Sequence, residues 1–342
     1  MSDINIQQVR IPFSYEIIRE SSIKQNEYSS AIAISKDNLL VLATSDKAIK
    51  VYQFRLGKLK QFQHLNMFRK DATAISLFEK SSLFITGSID STIRISSTTL
   101  FSSAKYIQQL YGHTSWISNL IIHPIDQDVL FSSSNDSQIR VWQKMQSWCC
   151  CQLIKEHKND VKGLSISKKG NQLLSCSEDL QILIMEPVSS KNYLLWQIVQ
   201  KINVDYQGYR ICSIDDSIFT FQQDSQNQMQ IYSKDENGLY RKTGCLDVAG
   251  GGQSCDFLFP SIYHSSKQLL IVKNGYVINI IRFCKEIPVN NQNTSQFLLE
   301  QVIDFGSNSY GHIWGTLSQD QEYLITWDCD SQEIQIRKFQ EQ

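Results

Sequence analysis

Two histidine–aspartate pairs are the residues best suited to chemistry in this chain. His113 stands 23 residues before Asp136, and His157 stands 22 residues before Asp179. An imidazole beside a carboxylate can act as a general base or share a metal ion. Because the pair recurs at almost the same spacing, we interpret it as part of a repeated structural unit and not as an active site.

Two further motifs have a chemical alternative. Cys149-Cys150-Cys151 lacks the second cluster that a zinc site needs, so we predict packing in an outer strand, with Cys149 and Cys151 on one side. Redox sensing and lipidation are the alternatives for this triplet. The glycines at 250–252 lack the Lys-Ser/Thr ending of a phosphate-binding loop and are predicted to form a connecting loop. We therefore predict no catalytic residue, no metal site and no cofactor.

A repeated aspartate sets the period of the chain. Asp46, Asp90, Asp136 and Asp179 lie 44, 46 and 43 residues apart, and each is followed by a short strand rich in β-branched residues. A period of about 40–45 residues with several short strands indicates a β-propeller, in which each repeat forms one blade. Three further turns, which bring the total to seven, are predicted at Asp224, Asn274-Gly275 and Asp330.

The strand pattern predicts one domain over residues 1–342, an all-β, seven-bladed propeller of four-stranded antiparallel blades. The last blade reaches only its third strand before the chain ends, whereas residues 11–19 form a strand with no blade of their own. We expect this N-terminal strand to close the ring, because closure removes exposed sheet edges. Residues 285–296 are expected to form a loop. The blades are predicted near residues 31–68, 74–111, 117–157, 161–202, 210–246, 254–305 and 314–339.

The best-preserved repeat resembles a known family. It runs from Gly112-His113 through Asp136 to Trp142 and is similar to a WD40 repeat, with Gln143 in place of the family's final Asp. The resemblance implies that a histidine, a strand serine, the turn aspartate and the tryptophan form a buried hydrogen-bond chain that locks each blade. In the next repeat Met185 replaces the tryptophan. The residues implied are His113, Ser132 or Ser134, Asp136 and Trp142, and then His157 and Asp179.

The same resemblance implies a face for partners. In WD40 propellers, partners commonly contact the residue before each turn aspartate and the residues that lead into the inner strands. An exposed tryptophan is a frequent interface anchor, and packing between blades is the alternative for Trp116. The partner-binding positions implied here are Ser45, Ile89, Asn135, Glu178, Trp116, Asp160 and Trp314.

Two arginines suggest a more specific alternative. Arg94 and Arg140 stand four residues after their repeat aspartates, a position that resembles the substrate receptors of cullin-type ubiquitin ligases. The Trp-Asp-x-Arg ending of those receptors is replaced here by the residues at 142–145, Trp-Gln-Lys-Met, so the match is incomplete. We expect the arginine stems to pack at a strand edge, with the ligase role as the alternative.

Charge and cysteine usage narrow the possible partners and compartment. The 33 Lys and Arg against 34 Asp and Glu give a net charge of −1 without long runs of one sign. We therefore predict neither a nucleic-acid partner nor a membrane. The nine cysteines follow no framework spacing and no signal-peptide pattern begins the chain, which predicts a cytoplasmic protein, with the nucleus as the alternative.

These observations together predict a non-catalytic scaffold or adaptor. We expect it to bind protein or peptide partners through the loops of one face and to be a subunit of a larger complex. The alternative classes are a small-molecule-binding propeller and an enzymatic propeller. Either of these would need acidic or histidine side chains that converge in the central channel without belonging to the repeat.

Overall fold

A computed structural model describes residues 12–99, 106–189, 194–253, 255, 259–289 and 292–342. In these residues the regular structure is β-strand apart from two short 3₁₀ turns, Arg19–Ser21 and Ser307–Ser309. The predicted all-β class is therefore confirmed.

The strands follow one another as short antiparallel meanders. In chain order the first fourteen are β1 (Phe13–Ile17), β2 (Ile23–Lys24), β3 (Ile32–Ile34), β4 (Leu40–Ser45), β5 (Ala48–Arg55), β6 (Lys58–Asn66), β7 (Ala72–Leu77), β8 (Leu83–Ser88), β9 (Ile93–Ser97), β10 (Gln108–Leu110), β11 (Ile117–Ile122), β12 (Val129–Ser134), β13 (Ile139–Lys144) and β14 (Trp148–Ile154). The others are β15 (Val161–Ile166), β16 (Leu173–Ser177), β17 (Gln181–Ser189), β18 (Leu194–Asn203), β19 (Gly208–Ser213), β20 (Ile218–Gln223), β21 (Gln228–Lys234), β22 (Tyr240–Asp247), β23 (Ile262–His264), β24 (Leu269–Asn274), β25 (Val277–Val289), β26 (Gln292–Asp304), β27 (Ile313–Leu317), β28 (Tyr323–Asp328) and β29 (Glu333–Glu341).

These strands form seven antiparallel sheets, which are the seven predicted blades. Blade 1 contains β3 to β6, and each later blade takes the next four strands until blade 6, which contains β23 to β26. Blade 7 contains β27, β28 and β29, with β1 and β2 from the N-terminus on the outer side of β29. The first strand of each blade lines the central channel and the fourth strand lies at the rim.

The N-terminal segment closes the ring, as predicted. β1 pairs with β29 from Phe13 opposite Glu341 to Ile17 opposite Arg337. The chain then makes the 3₁₀ turn and pairs again through β2, where Ile23 lies opposite Ile334. The predicted strand over residues 11–19 is thus shorter, because the turn begins at residue 19, and residue 11 lies outside the described residues.

Apolar clusters fill the seams between neighbouring blades. At the seam of blades 1 and 2, for example, Leu42 and Val51 pack with Ala72 and Phe84. Corresponding clusters join each later pair, and one large cluster joins blades 6, 7 and 1. Each blade therefore buries apolar side chains on both of its sheet faces, which explains why the second strands begin with runs of apolar residues, as in β12 and β24.

The region predicted as a loop over residues 285–296 is instead part of a long hairpin. β25 and β26 are thirteen residues each, and their pairing reaches Val289 opposite Gln292. The prediction was wrong because the polar composition of this stretch hid the backbone pairing. Residues 290 and 291 lie outside the described residues.

The three glycines lie in the connection between β22 and β23, as predicted. Gly250 has a φ of +92°, and a Cβ atom there would overlap the backbone carbonyl of Asn274 in blade 6. Glycine is needed at this position because the backbone of the connection lies directly against the neighbouring blade.

Glutamine side chains join the outer strands of neighbouring blades. The Gln152 side chain of blade 3 donates from Nε2 to the Trp196 carbonyl at 2.6 Å and accepts from the Trp196 N–H at 2.7 Å. The side-chain amide thus forms with Trp196 the two backbone hydrogen bonds that a residue of a neighbouring strand would form. We call this pair of bonds a glutamine clasp. The same two bonds join Gln108 to Trp148, Gln200 to Tyr240 and Gln301 to Tyr15.

We expect removal of residues 1–20 to lower the free energy of unfolding by at least about 3 kcal/mol. The deletion removes β1, whose Phe13 and Tyr15 are buried, and each such side chain contributes roughly 1.5–3 kcal/mol. Urea unfolding measures the loss, with Glu16→Ala, an exposed change in the same strand, as the control. A truncated chain that unfolds at the wild-type urea concentration would contradict closure by this strand.

We expect Gln152→Leu to lower the free energy of unfolding by about 1–3 kcal/mol, since two hydrogen bonds between blades 3 and 4 are lost. Gln197→Leu is the matched control, because Gln197 is an exposed glutamine of the neighbouring outer strand. Equal effects of the two substitutions on chemical denaturation would show that the clasp contributes nothing.

Candidate functional site

Strand order places two kinds of loop on the same face of the propeller. Because successive strands are antiparallel, the turn between the second and third strands and the connection from each fourth strand to the next blade lie at the same end. We call this end the upper face and the opposite end the lower face. Of the predicted partner-binding residues, Ile89, Trp116, Asn135, Asp160 and Glu178 lie in loops of the upper face.

In blade 3 the predicted hydrogen-bond chain is continuous. The Trp142 ring N–H lies 2.9 Å from Ser132 Oγ, which in turn lies 2.8 Å from His113 Nε2. Because the Asp136 carboxylate can only accept, His113 Nδ1–H donates to it at 2.8 Å, and Nε2 of the neutral imidazole then accepts from the Ser132 hydroxyl. The serine of the chain is Ser132, whereas the Ser134 hydroxyl donates to the carbonyl of Ser115.

Blade 4 contains the same hydrogen-bond chain without the tryptophan. His157 Nδ1 lies 2.9 Å from Asp179, and its Nε2 lies 2.8 Å from Ser175 Oγ. Met185 stands in place of the tryptophan and is fully buried. The chain therefore ends at the Ser175 hydroxyl, with a thioether packed where the indole lies in blade 3.

These bonds shift the titration of the aspartates. Burial alone would raise the pKa of Asp136, but hydrogen bonds from His113 and from backbone N–H groups hold it below its usual value. The pKa of Asp179 is lowered in the same way. In blade 5, which has no corresponding histidine, burial raises the pKa of Asp224. Both histidine–aspartate pairs thus form their hydrogen bonds inside their own blades, which supports a structural role.

Three predicted partner-binding turns lie against the connections of their own blades. The backbone N–H groups of Ile89, Asn135 and Glu178 donate to the carbonyls of Asp71, Trp116 and Asp160, each at 3.0 Å. Ile89, Asn135 and Glu178 are half-buried, whereas Trp116 is 42% exposed. Trp116 therefore projects from the upper face, and the alternative that it packs between blades is wrong.

A buried lysine joins three of these positions. The Lys162 ammonium lies 2.8 Å from Asp160, 3.3 Å from Glu178 and 3.3 Å from the Asn135 side-chain oxygen. The sequence analysis missed this residue, although a signal was present. Lys162 stands in the first strand of blade 4 where blades 2 and 3 have Thr73 and Ser118, whose hydroxyls bond to the next blade.

Ser45 and Trp314 are corrections, because neither can contact a partner from the upper face. Ser45 is the last residue of β4 and is buried. Trp314 lies inside β27 with 0% exposure. The centre of its ring lies 4.7 Å from that of the Tyr28 ring and 5.5 Å from that of the Trp327 ring. Both side chains therefore belong to the core.

The connections of the upper face instead expose other aromatic residues that the sequence analysis did not single out. Tyr111 is 71% exposed and lies in the same connection as Trp116. Tyr206 and Tyr310, also exposed, lie in the connections that lead into blades 5 and 7. The lower face exposes mainly aliphatic residues in its turns, namely Leu39, Leu56, Ile107, Ile125, Met145 and Leu239, together with the aromatic Tyr106.

Arg94 and Arg140 are both engaged within the propeller. Arg94 is buried, donates to the Met67 carbonyl, and lies 4.2 Å from the centre of the Phe68 ring. Arg140 is half-buried and donates to the Gly112 carbonyl at 2.8 Å. Both guanidinium groups are thus bound within the propeller, whereas packing of the two stems at a strand edge stays a prediction.

The cysteine triplet departs from strict strand alternation. Trp142 pairs with Cys150 and Val141 pairs with Gln152, so Cys151 is the extra residue of a β-bulge. Cys149 and Cys150 pair with the successive residues Gln143 and Trp142, so they alternate sides as the sequence predicted, and both are exposed. Cys151, which was predicted on the side of Cys149, lies instead in the bulge and is half-buried.

The central channel is lined mainly by neutral side chains. It has a volume of about 440 Å³, and half-buried residues along it include Asn119, Ser165, Ser213 and Thr316. At its lower end Lys36 and Glu79 form an ion pair at 2.6 Å. Among the described residues no group of three or more His, Cys, Asp or Glu side chains is arranged to hold a metal ion. The described part of the chain also contains no helix that is long and apolar enough to cross a bilayer.

Comparison with known proteins agrees with this geometry. The family model "WD domain, G-beta repeat" matches residues 104–143 and 148–184, which are the repeats with the hydrogen-bond chains. These two segments are WD40 repeats, and the chain as a whole is a seven-bladed β-propeller. A chain in the "Crystal Structure of Mitotic Checkpoint Complex" has the same fold, with a TM-score of 0.73 at 14% identity over 96% of this chain and 94% of that chain.

Curated relatives match a smaller share of this chain than the solved structure does. Pre-mRNA-processing factor 19 of Bos taurus is 37% identical over 78 residues, which is 23% of this chain and 15% of that protein. Target of rapamycin complex subunit wat1 of Schizosaccharomyces pombe is 20% identical over 187 residues, 55% of this chain and 58% of that protein. The match thus spans less than two thirds of the length of either relative.

We expect Asp136→Ala to lower the free energy of unfolding by about 2–4 kcal/mol, because it strands His113 in a buried chain. Asp224→Ala should cost far less, since burial already disfavours the charge of Asp224. The lowered pKa of Asp136 means that its contribution is present above the unfolded-state pKa of about 3.9 and is lost below it. The difference from wild type should therefore shrink below about pH 4. Equal losses for the two variants at neutral pH would contradict a blade-specific chain.

Proposed function

We propose that this WD40 propeller is a non-catalytic scaffold or adaptor that binds protein or peptide partners through its upper face. The observation that carries the proposal is the placement of Tyr111, Trp116, Tyr206 and Tyr310, which are exposed and all lie in connections of that face. Large aromatic side chains at the surface are frequent anchors of protein interfaces. A partner that covered them would bury apolar surface that now faces water.

The strongest part of this surface is on blades 2 to 4. The Asn135 and Glu178 turns are each hydrogen-bonded to the neighbouring connection, and Lys162 binds both turns and Asp160. A surface that is ordered before binding loses less conformational freedom when a partner arrives. We therefore place the binding energy at Tyr111, Trp116 and the adjacent turns, with Ile89 at the edge.

The chemistry of the chain favours a protein partner over nucleic acid. The net charge of −1 supplies no excess of basic side chains for a phosphate backbone. Two similar proteins are parts of assemblies: wat1 is a subunit of a target of rapamycin complex, and the solved propeller belongs to a mitotic checkpoint complex. These likenesses support a role as a subunit of a larger complex, which we place in the cytoplasm.

We expect the double variant Tyr111→Ser with Trp116→Ser to lose at least one specific partner. Truncation of two anchors is expected to weaken binding by roughly 2 kcal/mol or more, which is more than tenfold in affinity. The measurement is quantitative affinity purification from the native source, with circular dichroism to verify that the propeller is folded.

The matched control is Ile125→Ser with Met145→Ser, which removes two exposed apolar residues of blade 3 from the lower face. The control should keep the partner set of the wild type. If the control loses the partners and the upper-face variant keeps them, the docking face is the lower one and the proposal is wrong.

A further inference from the structure

The rim of blade 3 exposes two cysteines beside an arginine. Cys149 and Cys150 of the outer strand are both exposed, whereas Cys176 is buried in the second strand of blade 4 and Cys212 in the first strand of blade 5. Burial raises the pKa of Cys176 and of Cys212 to about 12, so those thiols remain protonated. The chemistry of an exposed thiol is therefore concentrated on this strand.

Arg140 connects this thiol pair to the upper face. Its Nη1 lies 3.6 Å from Cys150 Sγ, and its Nη2 donates to the Gly112 carbonyl at 2.8 Å. A Cβ atom on Gly112 would overlap the guanidinium, so the arginine lies flat against the connection that carries Tyr111 and Trp116. One guanidinium thus contacts both a rim thiol and the backbone of the candidate docking loop.

The thiolate is the nucleophilic form of cysteine. The Arg140 Nη1 that lies beside Cys150 Sγ can also donate a hydrogen bond to the oxygen of a hydroperoxide that approaches the sulfur. Cys151 is less suited, because burial and the neighbouring thiols raise its pKa to about 11. Cys245 is exposed in the corresponding outer strand of blade 5, but it lies opposite Gln230, which stands where blade 3 has Arg140. Exposure alone therefore does not distinguish Cys150 from Cys245, whereas the arginine does.

We propose that Cys150 is a site of reversible oxidation by hydroperoxides, positioned by Arg140. The thiolate sulfur attacks the outer oxygen of the hydroperoxide, an S–O bond forms and the O–O bond breaks. The sulfur loses two electrons to the peroxide, and the departing alkoxide or hydroxide takes a proton from water. The product is a sulfenic acid, which thiol reductants return to the thiol.

The modification also acts on the docking loop. The oxygen added to Cys150 is a stronger hydrogen-bond acceptor than sulfur, and it competes with the Gly112 carbonyl for the Arg140 guanidinium. Oxidation therefore loosens the hold of Arg140 on the connection at 111–116. This coupling rests on the proposed function only in that the same loop is the candidate docking site; the oxidation itself does not depend on it.

The test treats the reduced, full-length protein with hydrogen peroxide in the presence of dimedone, which traps sulfenic acids. Peptide mass spectrometry with fragmentation then compares the rate of labelling at Cys150 and at Cys245. We expect Cys150 to react roughly tenfold faster, and Arg140→Gln to remove most of that difference while leaving Cys245 unchanged. Arg140→Lys should retain part of the rate, because it keeps the positive charge.

Equal labelling of Cys150 and Cys245 in the wild type would overturn the proposal. So would an Arg140→Gln variant that is folded by circular dichroism and oxidises at the wild-type rate. For the coupling, hydrogen–deuterium exchange at residues 112–116 should rise after oxidation of the wild type and stay constant in Cys150→Ser. An unchanged exchange rate in the oxidised wild type would overturn the coupling, whatever the partner experiment shows.

Discussion

Every blade of this propeller has two apolar faces, and neither can be covered without a neighbouring blade. The apolar clusters at the seams satisfy this requirement around the ring, and the N-terminal strand satisfies it at the last blade. An open row of blades would leave an apolar face at each end and an unpaired strand edge. Closure is therefore the condition for the fold. The glutamine clasp from Gln301 to Tyr15 is part of that closure, because it ties blade 6 to the strand that completes blade 7.

A closed ring of rigid blades leaves the loops as the main place for variation. On the upper face the loops are held by two different devices. In blade 3 a hydrogen-bond chain from Trp142 to Asp136 fixes the turn from inside the blade. In blade 4 the incomplete chain is supplemented by Lys162, whose ammonium binds the turn and connection from the channel side. Both devices bury charged groups that remain hydrogen-bonded, which is the condition under which buried polar groups specify one packing.

The sequence predicted the features that repeat along the chain, because a repeated residue indicates its own structural context. The period of the aspartates predicted the seven blades. The resemblance at His113 and Asp136 predicted the hydrogen bond that joins them in blade 3. The sequence left Ser132 and Ser134 as alternatives for the hydroxyl of that chain, and the structure identifies it as Ser132. The long hairpin of blade 6 was missed, because its polar residues match a loop in composition and its pairing is visible only in the backbone.

Features that depend on contacts between blades were not predictable in the same way. Trp116 and Trp314 both follow a Gly-His pair, yet one residue of difference in spacing places Trp116 before its strand and Trp314 inside one. The first side chain therefore reaches solvent and the second enters the core.

The glutamine clasps show why such contacts escape sequence reasoning. The residues that Gln152 and Gln200 bind are far away in sequence and belong to the next blade. A signal was present for three of the four clasps, since an aromatic residue precedes the glutamine by four positions in Trp148 with Gln152, Trp196 with Gln200 and Phe297 with Gln301, whereas Ala104 precedes Gln108. In blade 5 the corresponding position is Gly244, which has no side chain to reach the next blade. That blade also has a half-buried Asp224 without a histidine, so the same part of the ring lacks both the clasp and the lock. The candidate docking residues of blades 3 and 4 thus lie where neighbouring blades are joined at the rim and locked at the turns.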